Sequence, residues 1–209
     1  MSKAIVFTGG GAPASLPEDL VEEGDYLIAA DSGYDLSKRL GYSVHYAVGD
    51  FDSTLFADEI QALAHRRFAR EKDHSDTYLA LEKAFEHGCQ DYVLVGGGGY
   101  RMDHLFQTYA LFSHFGPPRI WYTRYETNFL VQSFHKFSGL EPGVTVSFYP
   151  ALFHGESKVD APALRWPLVG YRMDFSTISL SNLGLSDSLE VHVTGSPIFV
   201  SFPVAPILP

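Results

Sequence analysis

The chain of 209 residues has one cysteine, Cys89. That excludes an internal disulfide framework and a Cys-rich zinc site. Positive charge is also scarce. Fifteen Lys and Arg stand against 25 Asp and Glu, a net charge of −10, so a broad basic footprint for nucleic acid is not expected. No apolar run approaches the roughly 20 residues a membrane helix needs. The opening stretch MSKAIVFTGGGAP is too poor in apolar residues for a secretory signal. The expectation is a cytoplasmic protein with no membrane or nucleic-acid partner. Walker A, G-x-S-x-G and H-E-x-x-H signatures are missing as well. What is present, 45% hydrophobic and 19% charged residues, is the composition of a globular protein with a substantial core.

The pattern changes near residue 130. Before it, short apolar runs (Ala4–Phe7, Tyr26–Ala30, His45–Val48, Asp91–Val95, Arg119–Thr123) alternate with helix-like segments at Tyr34–Leu40, Thr54–His65, Asp76–His87 and Asp103–His114. Such alternation predicts a parallel sheet covered by helices on both faces. After it the period becomes two: Val144, Val146 and Phe148 alternate with Thr145, Ser147 and Tyr149, and Leu189, Val191 and Val193 with Glu190 and His192. Short strands with Gly and Pro turns predict an antiparallel β-sandwich. The expected fold class is α/β: a Rossmann-like, mostly parallel sheet over residues 1–130, then a sandwich over residues 131–209. Charge divides unevenly, with a net of −8 in the first part and −2 in the second.

Ligands of open parallel sheets bind beyond the carboxyl ends of the strands. Asp31 follows YLIAA, Asp50 and Asp52 follow HYAV, and Gly96–Gly99, Arg101 and Asp103 follow DYVLV. A weaker strand near Arg67–Arg70 precedes Lys72, Asp73 and Asp76. Any one of these acids is explained as a turn former or a helix cap; all of them on one rim point to a ligand. In VGDFDS, an extended backbone would project Asp50 and Asp52 to the same side. Two carboxylates so close repel, and a hard divalent cation such as Mg²⁺ relieves the conflict. The alternative is a solvated turn with Ser53 capping the next helix. In KDHSDTYLAL, one of Asp73 and Asp76 is expected to cap a helix and the other to be free for metal. Lys72 can meet a phosphate as a point charge or pair at the surface with Glu71 or Asp76. In VGGGGYRMDH, four glycines let a backbone approach a ligand closely, and Arg101 offers a planar fork to phosphate.

A rival motif, Gly9-Gly10-Gly11-Ala12-Pro13-Ala14, resembles a relaxed dinucleotide fingerprint, with Asp31 about 20 residues on. Pro13 and Pro17 stand where its helix would grow, and the motif leaves GDFDS and GYRMDH unexplained.

The ordered set Ala30-Asp31-Ser32-Gly33, Gly49-Asp50-Phe51-Asp52-Ser53, Asp73-His74-Ser75-Asp76 and Gly99-Tyr100-Arg101-Met102-Asp103-His104 resembles the thiamine pyrophosphokinase family. In the second half, Leu164-Arg165-Trp166-Pro167-Leu168 and Ser181-Asn182 resemble that family's G-L-K-W/Y-P-L and S-N segments. Ser32 and Ala163 replace glycines usual in the family, and Leu183 stands where many members have Glu. The resemblance implies a homodimer that moves pyrophosphate from ATP to the thiamine hydroxyl and releases AMP. It implies Mg²⁺ on Asp50, Asp52 and Asp76, with Asp31, Ser53, Lys72, Asp73 and Arg101 around the nucleotide. Asp103 would fix the loop or position the hydroxyl. Trp166 would stack on the thiamine pyrimidine, with Ser181 and Asn182 at its edge. From the residues alone, Trp166 reads as core filler, since a large aromatic usually packs. A pyrophosphokinase for another heterocyclic alcohol, such as a hydroxymethylpterin, and a non-catalytic nucleotide- or thiamine-binding module are the alternatives.

Overall fold

The structure, a computed structural model, describes residues 2–52, 54–67, 73–99 and 101–204. By contacts the chain divides into two compact units, Met1–Thr108 with Pro118–Arg124, and Tyr109–Pro117 with Tyr125–Pro209.

The first unit is built on six strands: β1 (Ala4–Thr8), β2 (Tyr26–Ala30), β3 (Tyr46–Gly49), β4 (His65–Arg67), β5 (Tyr92–Val95) and β6 (Ile120–Tyr122). They lie in the order β6-β5-β1-β2-β3-β4, and each of their pairings is parallel. Every residue of β1, β2 and β5 is buried. Parallel strands covered on both faces read as unbroken apolar runs, which is why AIVFT, YLIAA and YVLV lack alternation.

Helix α1 (Gly33–Arg39) packs Tyr34 and Leu36 into the cluster of Ile5, Phe7, Leu27 and Val95. Helix α3 (Asp76–Glu86) buries Leu79, Ala80, Leu81 and Ala84, none of which joins that cluster, and contacts β1, β2 and β3. Each of the two buried leucines contributes about 1.5–3 kcal/mol. Gly88, at φ 97, follows the His87 C-cap and ends α3. Helix α4 (Met102–Phe115) follows β5. The helix expected over Thr54–His65 shrinks to α2 (Ala57–Gln61), because its last residue enters strand β4.

Among the described residues of this unit one ion pair is buried. Lys3 Nζ meets Asp25 Oδ2 at 2.6 Å and the exposed Glu22 at 3.2 Å. Asp25 also accepts the backbone N–H groups of Lys3 (3.1 Å) and Glu22 (2.9 Å). Burial works to raise the Asp25 carboxyl, but the Lys3 ammonium and these N–H groups hold it below its ordinary 3.8. Burial likewise works against the Lys3 charge, which Asp25 and Glu22 hold above its ordinary 10.5. Asp25→Ala leaves a buried ammonium short of its partner, so a loss of about 3 kcal/mol is expected in urea unfolding. The Asp25 contribution is present above pH 3.8 and lost as pH falls through the lowered folded value. That of Lys3 is present below 10.5 and lost as pH rises through the raised one. A pH series of midpoints checks both limbs.

The second unit is antiparallel. One sheet orders β12 (Ser179–Leu183), β9 (Thr145–Pro150), β14 (Ile198–Pro203) and β7 (Glu126–Val131). The other orders β11 (Leu168–Met173), β10 (Ser157–Ala161), β13 (Ser188–Gly195) and β8 (Phe134–Ser138). Val146, Phe148, Ile198 and Val200 from the first sheet share a core with Val159, Leu168, Leu189 and Val191 from the second. Among the described residues no helix is long and apolar enough to cross a membrane.

Candidate functional site

Parallel register sets the site. Thr8, Ala30 and Val48 lie side by side, and Val95 is opposite Phe7. Gly9, Asp31, Asp50 and Gly96 therefore leave the sheet at the same end, beyond the last residues of β1, β2, β3 and β5. Asp31 turns there at φ 46, and its N–H donates to Val48 O at 2.8 Å. Gly49 permits the closeness, since a Cβ on it would lie 3.0 Å from Asp31 Cα.

The next turn departs from the extended backbone expected for Asp50–Ser53. Phe51 adopts φ 57 and buries its ring in the core of this unit, 5% exposed. Asp50 and Asp52 flank this anchor, and the Asp52 N–H donates to Asp50 Oδ1 at 3.2 Å. Carboxylate oxygens of Asp31, Asp50 and Asp52 lie within 4.8 Å of one another. Burial raises the Asp31 carboxyl above its ordinary value. The Ser32 N–H opposes that shift, and the negative charges of Asp76, Asp50 and Asp52 add to it. The third acid of the cluster is thus Asp31, with Asp76 near enough to act on it.

Asp31 also lines a pocket of about 380 Å³. One wall is backbone: Gly9, Gly10, Gly97 and Gly99. The Gly97 N–H donates to Gly9 O at 2.9 Å, which joins the loop after β1 to the loop after β5. Other walls carry Asp76, Arg101, His104 and Gln107.

The expectation that Asp73 or Asp76 caps α3 is corrected: Ser75 is the N-cap, its hydroxyl accepting the Tyr78 N–H at 3.2 Å. Asp76, one residue inside, lines the pocket, and its charge acts on Asp31. Asp73 is exposed and is not among the described residues lining the pocket. Gln107 Nε2 donates to Ser75 Oγ at 2.6 Å, and the buried hydroxyls of Thr8 and Thr77 meet at 2.7 Å. Thr8, Thr77 and Gln107 escaped the sequence reading, and Ser75 and His104 entered it only inside motifs with no site role of their own, because their meeting depends on contacts far apart in the chain. The one local signal was Gly9-Gly10-Gly11, set aside because no helix could follow it. None does: the described chain has no helix before α1.

Arg101 faces Asp103 as a fork, Nε to Oδ1 at 3.1 Å and Nη2 to Oδ2 at 2.5 Å, both side chains exposed. The guanidinium holds the Asp103 carboxyl below its usual range. Ser53 and Lys72 lie outside the described residues.

In the second unit, Trp166 is 57% exposed, with the Arg165 guanidinium 5.4 Å from its ring centre. Asn182 is buried. Its Oδ1 accepts the N–H groups of Trp166 (3.2 Å) and Leu183 (2.9 Å), and its Nδ2 donates to Trp166 O at 2.7 Å. Ser181, exposed, bulges at φ 52, its N–H held by Ser147 Oγ at 3.0 Å.

Fold and site define a class: an α/β protein with an antiparallel companion unit, gathering acids and glycines at the strand ends of a parallel sheet. The sequence matches the thiamin pyrophosphokinase catalytic domain over residues 17–120, and the chain belongs to that family. Among solved structures, thiamine pyrophosphokinase from Bacillus subtilis is similar at 20% identity, covering 98% of this chain and 100% of that one with a TM-score of 0.75. The Geobacillus thermodenitrificans thiamin pyrophosphokinase is similar at 22% identity, 98% and 99% coverage and TM-score 0.73. That of Candida albicans is similar at 14% identity, 97% and 90% coverage and TM-score 0.69. At these identities the likeness is one of fold. No curated protein matches the chain at a significant level.

Proposed function

We propose that the chain is a thiamine pyrophosphokinase, moving the pyrophosphoryl group of ATP to the thiamine hydroxyl and releasing AMP. The observation that carries this reading is the Asp31–Asp50–Asp52 cluster, which shares Asp31 with a pocket walled by glycine backbone and reached by Arg101. The donor set fits magnesium, being made only of carboxylate oxygens crowded enough to raise one of them. Asp50 and Asp52, with Asp31 and Asp76 beside them, would hold it. When bound, the ion neutralises phosphate charge and polarises the phosphoryl oxygens.

The remaining work belongs to the chain. Glycine backbone at Gly9, Gly10, Gly97 and Gly99 admits the phosphates to close range, with no side chain in the way. Arg101 exchanges Asp103 for a phosphate oxygen, a contact of the same planar geometry. Transfer of this kind needs placement and charge stabilisation rather than a covalent intermediate. The thiamine hydroxyl oxygen bonds to the β-phosphorus, the bridge to the α-phosphate breaks, and a rim aspartate takes the proton. In the second unit the open indole face of Trp166 is the platform for the pyrimidine ring, and Ser181 offers a hydroxyl to its edge. The working species is a homodimer, which sedimentation at micromolar concentration tests.

AMP formation from ATP and Mg²⁺ with a panel of alcohols tests the function. Turnover is expected with thiamine and not with a hydroxymethylpterin. The reverse order would move the assignment to another heterocyclic alcohol, and ligand binding without AMP would make the protein a binding module.

A further inference from the structure

The chain around Trp166 is held by an unusual splint. Leu164 forms an antiparallel bridge with Gly184, and the Arg165 N–H donates to Leu183 O at 2.9 Å. One residue further Trp166 falls opposite Asn182, at a position where an antiparallel ladder places no backbone hydrogen bond. The Asn182 backbone belongs to the other side of β12, opposite Val146 of β9, in a pairing that shifts register between Ser179 and Asn182 and bulges at Ser181 with φ 52. The Asn182 side chain takes over. Its Oδ1 accepts the Trp166 N–H at 3.2 Å and its Nδ2 donates to the Trp166 carbonyl at 2.7 Å. The primary amide thus stands in for a peptide group and closes the ring of two hydrogen bonds that a strand neighbour would supply.

The same Oδ1 accepts the Leu183 N–H at 2.9 Å, which fixes the rotamer, and Asn182 is only 2% exposed. Its amide is therefore already engaged by protein groups. The Trp166 ring, by contrast, is 57% exposed and has no described ring neighbour besides the Arg165 guanidinium. Packing does not orient this indole, so its backbone must.

We infer that Asn182 is a positioning residue: it splints the Trp166 backbone so that the open indole face is presented in one orientation, and it does not itself touch the acceptor substrate. The functional part of this inference rests on the reading of Trp166 as the thiamine platform. The splint itself does not, and the two are tested apart.

The first arm uses a Trp121→Phe background, in which Trp166 is the single tryptophan, and measures its time-resolved anisotropy without ligand under excitation that spares the 12 tyrosines. Asn182→Ala is expected to increase the amplitude of fast local motion. Asn182→Asp, which keeps the acceptor but turns a second oxygen toward the Trp166 carbonyl, is expected to do the same without loss of volume. Unchanged anisotropy in both variants, with thermal melting confirming the fold, would overturn the inference.

The second arm is a kinetic cycle. Asn182→Ala is expected to raise the KM for thiamine about tenfold with kcat nearly unchanged, the loss of a pre-ordered contact. In a Trp166→Ala background the same change is expected to leave KM where it is, because the splint then has nothing to hold. An equal rise in both backgrounds would mean that Asn182 meets the substrate directly, and the inference would fall. A Trp166→Ala protein with wild-type KM for thiamine would instead remove the platform reading, while the anisotropy would still decide the splint.

Discussion

Asp52→Asn is expected to lower AMP formation on the order of a thousandfold, the loss seen when a group that stabilises developing charge is removed. The same substitution is not expected to destabilise the protein. Asp52 is exposed, and its carboxylate lies within 4.8 Å of those of Asp31 and Asp50. Without a cation that proximity is repulsive, so an uncharged neighbour relieves it. Asp31→Asn makes the sharper case. Burial and three acidic neighbours already raise its carboxyl, and asparagine tolerates the left-handed φ of 46 that the position requires. The Asp31→Asn protein is expected to melt at a higher temperature than the parent in chelator and to be inactive. A binding readout separates this from a folding defect. At a hundred times its dissociation constant a cation that binds only the folded state adds about 2.7 kcal/mol. Magnesium should therefore raise the melting temperature of the parent and not of either variant. Full activity in Asp52→Asn, or an undiminished magnesium shift, would remove the metal assignment.

The second large effect concerns backbone. Gly96→Ala is expected to cost about 3–5 kcal/mol, combining left-handed strain with overpacking. Gly96 sits at φ 97, and a Cβ there would lie 2.1 Å from the carbonyl oxygen of Thr8. That oxygen belongs to the central strand and cannot yield as a flexible side chain would. Gly24→Ala is the control. It has nearly the same φ, 91, but a Cβ added there would meet no atom within 4 Å, so it should cost only about 1 kcal/mol. Urea midpoints of the two variants measure the difference, which isolates the close approach of the β1 and β5 ends. Equal losses would mean that strain alone operates and that the two loops are not tightly joined.

The parts of the site on strand ends were legible because parallel strands buried on both faces leave a simple signature: an apolar run, then an abrupt acid. YLIAA followed by Asp31 and HYAV followed by Asp50 and Asp52 are of that kind. The backbone that carries them was not. Nothing in GDFDS indicates that Phe51 would turn left-handed to bury its ring, which moves the acids by a different route from an extended strand. The cap of α3 was misassigned because Ser and Asp are about equally good caps, and the choice fell to Ser75 through the Gln107 contact from a distant helix. In the second unit, alternation revealed β9 and β13. Strands β8, β10 and β11 escaped: HKF and KVD carry charges on the outward face, and Gly170 interrupts LVGYRM. The amide of Asn182 was invisible for a similar reason, since its partner is the backbone of a residue sixteen positions away.

The middle position of β1 bears on how the chain is made. Ala4–Thr8 needs both Tyr26–Ala30 and Tyr92–Val95 as neighbours, and the latter is synthesised roughly eighty residues later, about 4–16 seconds at ordinary elongation rates. Throughout that interval Ile5, Val6 and Phe7 on the nascent chain lack one flank of their eventual surroundings. Ribosome-bound chaperones should therefore engage this segment early, and stalling before Val95 emerges should yield aggregates rather than a folded intermediate.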